Sequence, residues 1–180
     1  KTLVFNPGVD ASQFVPAAQS NEIKSTLGWE GKRVILTVGR LQERKGHVKL
    51  IEALPQIIQH FPNTLYAIIG NGDRKAPLEA LVIKLKLEEN VMFMSELDDQ
   101  KMIQCYQQCD VFVLPNRSVG RDIEGFGMVL VEAQACARPV IAGDSGGTAE
   151  TMIINETGYI VDCTLTAPLA EKICLLLENE

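Results

Sequence analysis

The strongest constraint on this chain is an alternation. Six short aliphatic runs, at residues 34–38, 65–69, 91–94, 111–114, 140–142 and 159–161, are separated by longer segments whose apolar residues recur at helical spacing. A Gly, Pro, Ser or Asp ends each run. Strands that are apolar along their whole length are buried on both faces, and strand–helix alternation gives parallel pairing through crossover helices. The expected helices cover residues 48–60, 77–85, 99–107, 126–137, 149–153 and 167–177. The predicted fold is therefore α/β: a doubly wound, Rossmann-like parallel sheet of six strands. Residues 1–30 read as a lead-in with a turn at Asn6-Pro7-Gly8, and residues 31–180 as the domain proper. No internal repeat or low-complexity segment interrupts it.

Composition serves mainly to exclude. A net charge of −6 argues against nucleic acid as a partner, while leaving room for a local basic pocket. No run approaches the roughly 18 apolar residues needed to span a bilayer. Cys105, Cys109, Cys136, Cys163 and Cys174 are odd in number and contain no C-x-x-C pair, which speaks against a disulfide framework or zinc site and for a reducing, cytoplasmic compartment. The chain starts at Lys1 rather than Met, running at once into Leu3-Val4-Phe5, and is expected to be part of a longer protein.

In open parallel sheets, ligands sit at the carboxyl ends of the strands. After the first strand, Gly39-Arg40-Leu41-Gln42-Glu43-Arg44-Lys45-Gly46 carries Arg40 and Lys45 on a turn leading into a helix. A forked guanidinium, a mobile ammonium and a helix amino-terminus suit a diphosphate, although a basic loop taken alone is more often a solvated patch. After the fourth strand, the chain from Pro115 enters Glu124-Gly125-Phe126-Gly127-Met128 and reaches Glu132 about two helical turns on. Gly125 and Gly127 leave backbone amides open to phosphate oxygens. Glu132 interrupts a nearly all-apolar helix, where an unpaired carboxylate is costly, and a carboxylate so placed can accept hydrogen bonds from a vicinal diol. Gly143-Asp144-Ser145-Gly146-Gly147 either brings backbone close to a ligand or is an ordinary turn.

Other features lead elsewhere. Gly70-Asn71-Gly72 begins like a dinucleotide fingerprint, but Lys75 stands where its last glycine belongs, so NAD is discounted. Asp122-Ile123-Glu124 has the look of an acidic metal motif, yet no third ligand lies nearby and Arg117 and Arg121 balance its charge, so no metal is expected. His47 and His60 are the only histidines, and structural roles are expected for both.

With these residues in hand, the chain resembles the carboxyl-terminal domain of the group 1 retaining glycosyltransferases, enzymes of two facing Rossmann-like domains known as the GT-B fold. The resemblance spans nearly the whole chain. It rests above all on that family's Glu, seven residues, Glu motif, here Glu124 to Glu132 in EGFGMVLVEAQA, supported by NPGVDASQF, GRLQERKG, IIGNG, QCDVFVLPN and GDSGG in order. The resemblance implies a nucleoside diphosphate sugar as substrate and no cofactor or metal. Its diphosphate is held by Arg40, Lys45 and the amides around Phe126, Gly127 and Met128, with Gly39 and Gly125 also counted among the substrate-binding residues; Glu124 meets the sugar, Glu132 the ribose, and Met94 and Leu97 flank the base. It also implies retention at the anomeric carbon, catalysed mostly by electrostatic positioning.

On the same resemblance, NPGVDASQF is an inter-domain hinge and the acceptor-binding domain precedes it, so this chain is expected to bind nucleotide without transferring sugar. The loops around Glu124 and Asp144 tilt the donor toward mannose or glucose, as GDP-mannose or UDP-glucose. Peripheral contact of the longer enzyme with the cytoplasmic face of a membrane is a further implication. Two other classes share the architecture: a non-catalytic nucleotide-binding regulatory module, and a sugar-nucleotide isomerase, whose acids and bases are not evident here.

Overall fold

A computed structural model describes residues 5–178; Lys1, Leu3 and Val4 of the opening stretch lie outside the described residues. The elements run α1 Asn21–Thr26, β1 Arg33–Val38, α2 His47–His60, β2 Thr64–Ile69, α3 Lys75–Leu85, β3 Val91–Met94, α4 Asp99–Gln108, β4 Val111–Leu114, α5 Met128–Ala135, β5 Val140–Gly143, β6 Gly158–Val161 and α6 Thr166–Glu178. Single 3-10 turns occupy Glu43–Lys45 and Thr148–Thr151. The six strands form one parallel sheet in the order β3-β2-β1-β4-β5-β6. The chain starts in the middle, winds outward through β2 and β3, then returns to β4 on the other side of β1. That reversal opens a crevice between the carboxyl ends of β1 and β4, the topological switch point.

The twofold period of each strand divides its side chains between two cores. Ile35, Tyr66, Ile68, Val111, Val113 and Ile141 face one side, against Leu50, Ile51 and Leu54 of α2, Leu78 of α3 and Leu169 and Ile173 of α6. Val34, Leu36, Leu65, Ala67, Phe112, Leu114 and Val140 face the other, against Cys105 and Tyr106 of α4 and Leu130 and Ala133 of α5. Burial on both faces is why these strands read as continuous apolar runs.

Three local features differ from expectation. The helix expected over 126–137 begins only at Met128, because Gly127 holds a left-handed φ of 90° and turns the chain there. It stops at Ala135, followed by Ala137 at φ 57° and a bond from Arg138 N–H to the Ala133 carbonyl. In place of the helix expected over 149–153 there is one 3-10 turn, Thr148–Thr151, after which Met152 is extended. Inside residues 1–30 lies α1, capped by Ser20, and Leu27 and Trp29 are buried in the second core. Residues 15–20 are laced to α4 and to the end of α5: the Gln107 amide donates to the Val15 carbonyl, the Gln108 amide to the Ala18 carbonyl while its oxygen accepts from Ser20 N–H, and Arg138 donates to the Ala17 carbonyl.

Candidate functional site at the switch point

Glycines decide how the loops over the crevice meet. A Cβ on Gly46, whose φ is 72°, would stand 1.7 Å from the Pro115 carbonyl oxygen, so the loops after β1 and β4 touch backbone to backbone. Arg117 N–H donates to the Arg44 carbonyl at the same junction. A Cβ on Gly70 would lie 2.0 Å from the Gly39 oxygen and one on Gly72 2.5 Å from that of Leu41. On the other side, Gly143 backs onto Asn116 at 1.7 Å, Gly146 onto Glu124 at 1.6 Å and Gly147 onto Gly125 at 2.5 Å, each measured from an added Cβ to a carbonyl oxygen. The compact Gly143–Gly147 loop thus brings backbone close to the protein's own neighbouring loop. Gly125 differs: it is exposed, and nothing lies within 4 Å of where its Cβ would stand.

This junction gathers charge. The Glu124 carboxylate, only 7% exposed, accepts from Lys45 Nζ and from Arg44, both at 2.6 Å on the same oxygen. Arg44 Nε also lies 3.1 Å from Asp122. One guanidinium therefore bridges both acids of Asp122-Ile123-Glu124, the pair that had the look of a metal motif. Arg44 was invisible as a site residue in the sequence because its partners lie some 80 positions away. Lys45 is 8% exposed, its stem lying against Gly39. Arg40, by contrast, is exposed and makes no ion pair among the described residues. Buried charges need such pairing, since each alone carries a large desolvation cost.

Next to Glu124, the N–H groups of Gly125, Phe126, Gly127, Met128 and Val129 have no acceptor among the described residues. The first turn of any helix leaves donors unmatched, and the left-handed Gly127 extends that run backward into the loop. About one turn into α5, Glu132 accepts a hydrogen bond of 2.6 Å from the Tyr106 hydroxyl on α4. This is the partner an acid in so apolar a helix requires. Tyr106 was missed because only the packing of α4 on α5 brings the two together.

Met94, the last residue of β3, and Leu97, just beyond it, are half-buried against the second core; Ser95 and Glu96 between them are exposed, Glu96 with φ 58°. A cleft of about 520 Å³ at the ends of β4, β5 and β6 is lined by Asn116, Arg117, Asp144, Asp162 and Cys163, and holds neither Glu124 nor Glu132. His47 is buried under the β1 loop. Its Nδ1 lies 3.1 Å from the Tyr66 hydroxyl, which donates to Thr37 Oγ1 at 3.0 Å, and Thr37 donates to the Val113 carbonyl. Burial pushes the His47 pKa down to about 4, opposed by the Arg40 carbonyl and helped by the charge of Lys45. It is a neutral core imidazole at physiological pH. His60 closes α2 at the opposite end from this loop.

The sheet order and the polar cluster at its switch point define a Rossmann-like α/β domain of the GT-B carboxyl-terminal type. The chain belongs to the family described as glycosyl transferases group 1, whose model matches residues 19–180. It is 37% identical over 177 residues to the GDP-mannose-dependent monoacylated alpha-(1-6)-phosphatidylinositol monomannoside mannosyltransferase of Corynebacterium glutamicum, covering 96% of this chain and 46% of that protein. Identity is 36% over 161 residues to the GDP-mannose-dependent alpha-(1-6)-phosphatidylinositol monomannoside mannosyltransferase of Mycolicibacterium smegmatis, covering 88% and 42%. The crystallised C-terminal domain of a group 1 glycosyl transferase from Francisella tularensis superposes with a TM-score of 0.83 at 28% identity, covering 95% of this chain and 88% of that one. The chain spans less than half the length of the two curated relatives. Among the described residues, no helix is long and apolar enough to cross a membrane, and no group of three or more His, Cys, Asp or Glu side chains could hold a metal ion.

Proposed function

We propose that this chain is the donor-binding half of a retaining hexosyltransferase, taking a nucleoside diphosphate hexose, with GDP-mannose favoured over UDP-glucose, and working without a metal. The observation that carries the reading is the row of five unmatched N–H groups from Gly125 to Val129, lying next in sequence to a carboxylate that holds the buried ammonium of Lys45. Amides at a helix start together with a lysine and an arginine form a diphosphate cradle. Identity to two GDP-mannose-dependent enzymes supports the choice of donor.

In this reading, the diphosphate lies against the amides of Gly125, Phe126, Gly127 and Met128 and beside Gly39, with Arg40 and Lys45 on its oxygens. Negative charge growing on the departing diphosphate is met by fixed donors that need no reorganisation. Lys45 is shared between phosphate and Glu124, and Arg44 keeps Glu124 paired as that sharing shifts. Glu124 aligns the hexose, Glu132 accepts from the ribose hydroxyls, and Met94 and Leu97 flank the base. The acceptor, held by a separate domain, attacks from the face the diphosphate leaves, and a phosphate oxygen takes its proton, which gives retention. Alone, this chain binds nucleotide and transfers nothing.

Calorimetric titration with GDP, UDP and ADP in the presence of a chelator tests the proposal. Binding of one nucleotide, weakened about tenfold or more by Arg40→Ala and by Glu132→Ala, is expected for charge-assisted hydrogen bonds. Absence of binding at millimolar nucleotide, or binding indifferent to both substitutions, would overturn it. Glycosyl transfer by this chain, abolished in Glu124→Ala, would overturn the division of labour.

A further inference from the structure

Tyr106 is buried to 0% exposure, and its ring is gripped on two sides: edge-on by Phe14, with centroids 5.8 Å apart at 70°, and tilted against Phe112 at 5.6 Å. Cys105, Cys109, Cys136 and Leu114 belong to the same core. A phenylalanine would satisfy that packing; the hydroxyl is an added polar atom in an apolar place, and such atoms are costly unless bonded. Its bond goes to one oxygen of Glu132, and among the described residues it is the sole hydrogen bond that the Glu132 side chain makes. The half-exposed carboxylate thus has one oxygen fixed to the core and the other, Oε1, without a protein partner among the described residues.

We infer that Tyr106 is a positioning residue for the donor's ribose: its hydroxyl clamps Oε2 of Glu132, so that the remaining acceptor sites of that carboxylate meet a vicinal diol in one fixed orientation. This rests on the reading of Glu132 as the ribose carboxylate. An ionised carboxylate has about four lone-pair sites, so one tyrosine bond leaves ample capacity for two ribose hydroxyls. Glu is among the side chains with most rotamer freedom to lose, and a clamp made in the free protein removes that loss from the binding step. Burial, then the charge of Glu132 and its hydrogen bond, holds the Tyr106 pKa well above the usual phenol range, so it remains a donor at all working pH values. The clamp reaches beyond the site, because Phe14 directly precedes the segment laced onto α4 by Gln107 and Gln108.

The test compares GDP with 2′,3′-dideoxy-GDP, which lacks the diol, by calorimetric titration of this chain; a chain of similar extent from a relative has been crystallised alone. Tyr106→Phe keeps the ring contacts, and folding is checked through the fluorescence of the buried Trp29. The expected result is an about tenfold loss of GDP affinity with dideoxy-GDP unchanged, and no further loss when Tyr106→Phe is added to Glu132→Ala. If Glu132→Ala shows the diol-dependent loss but Tyr106→Phe does not, or if Tyr106→Phe weakens both nucleotides equally, the positioning role is refuted and the ribose reading stands. If Glu132→Ala itself does not distinguish the two nucleotides, the ribose reading falls and the inference with it.

Discussion

Two glycines in one loop contact give opposite predictions when changed to alanine. At Gly146 the new methyl would meet the Glu124 carbonyl oxygen at 1.6 Å and its carbon at 2.7 Å, with φ at +63°. The obstacle is backbone, which cannot turn aside as a side-chain tip would. Placing a β-carbon in the left-handed region costs about 1–2 kcal/mol, and displacing a packed loop about 1–3 more. Gly146→Ala should therefore lose about 2–5 kcal/mol, which for a chain of this size is a fall in Tm of roughly 5–15 °C. Gly125 has open space around its missing Cβ, and it is not among the residues with positive φ. Gly125→Ala should stay within about 0.5 kcal/mol of the parent. Thermal unfolding followed by circular dichroism, without nucleotide, measures both. On the proposed function, Gly125→Ala should nonetheless weaken GDP binding, because its methyl enters the space above the unmatched amides. A Gly146→Ala chain melting within about 2 °C of the parent, or a Gly125→Ala chain as damaged as Gly146→Ala, would refute the interlocked-loop account.

Glu124→Ala leaves Lys45 and Arg44 without their shared carboxylate, and breaking a buried pair from one side costs about 3–5 kcal/mol; urea unfolding should give a lower midpoint with an unchanged slope, and an unshifted midpoint would show the cluster to be solvated. His47 is neutral in the fold, with a pKa of about 4 against an ordinary 6.5. The unfolded chain therefore binds the extra proton between these values, so the stability His47 contributes is whole above pH 6.5 and is lost as pH falls toward 4, about 3 kcal/mol in all. His47→Gln should flatten the pH dependence of urea unfolding in that window, and identical slopes would rule this out. Gln108→Ala removes two bonds that hold Ala18 and Ser20, so limited proteolysis should cut first within residues 13–20; unchanged cleavage kinetics would mean the segment is held by Phe14 and Arg138 instead.

What the sequence disclosed follows from which forces are local. The four central strands were legible because burial on both faces makes each an unbroken apolar run, whereas the edge strands β3 and β6 are half-buried at three of their four positions; Gly39, Gly70 and Pro115 follow directly on β1, β2 and β4, and Gly143 is the last paired residue of β5. The start of α5 was displaced by two residues because a glycine can either begin a helix or, as Gly127 does at φ 90°, turn away from one. Helix α1 is six residues long with no buried member, so no periodicity announced it. Arg40, Lys45, Glu124 and Glu132 stood out by residue type beside a strand end or inside an apolar helix. Arg44 and Tyr106 did not, since a guanidinium in a basic loop and a tyrosine in a helix are ordinary until the fold sets an acid 2.6 Å from each. The glycines of Gly70–Gly72 and Gly143–Gly147 were visible as permissive backbone, but that it is the protein's own carbonyls they admit is a fact of tertiary packing.

The glycine crossings also bear on how such a domain changes over generations. Each loop above the switch point is shaped around the backbone of another: Gly46 around Pro115, Gly70 around Gly39, Gly146 around Glu124. A single loop borrowed from a cousin arrives without its counterpart and meets a wall in place of a gap. On the proposed function, donor preference should therefore drift through exposed side chains, such as those of Ser95 and Glu96, while the crossing segments are inherited together. An engineer building chimaeras would do best to exchange residues 39–46, 70–72, 115–127 and 143–147 as one set.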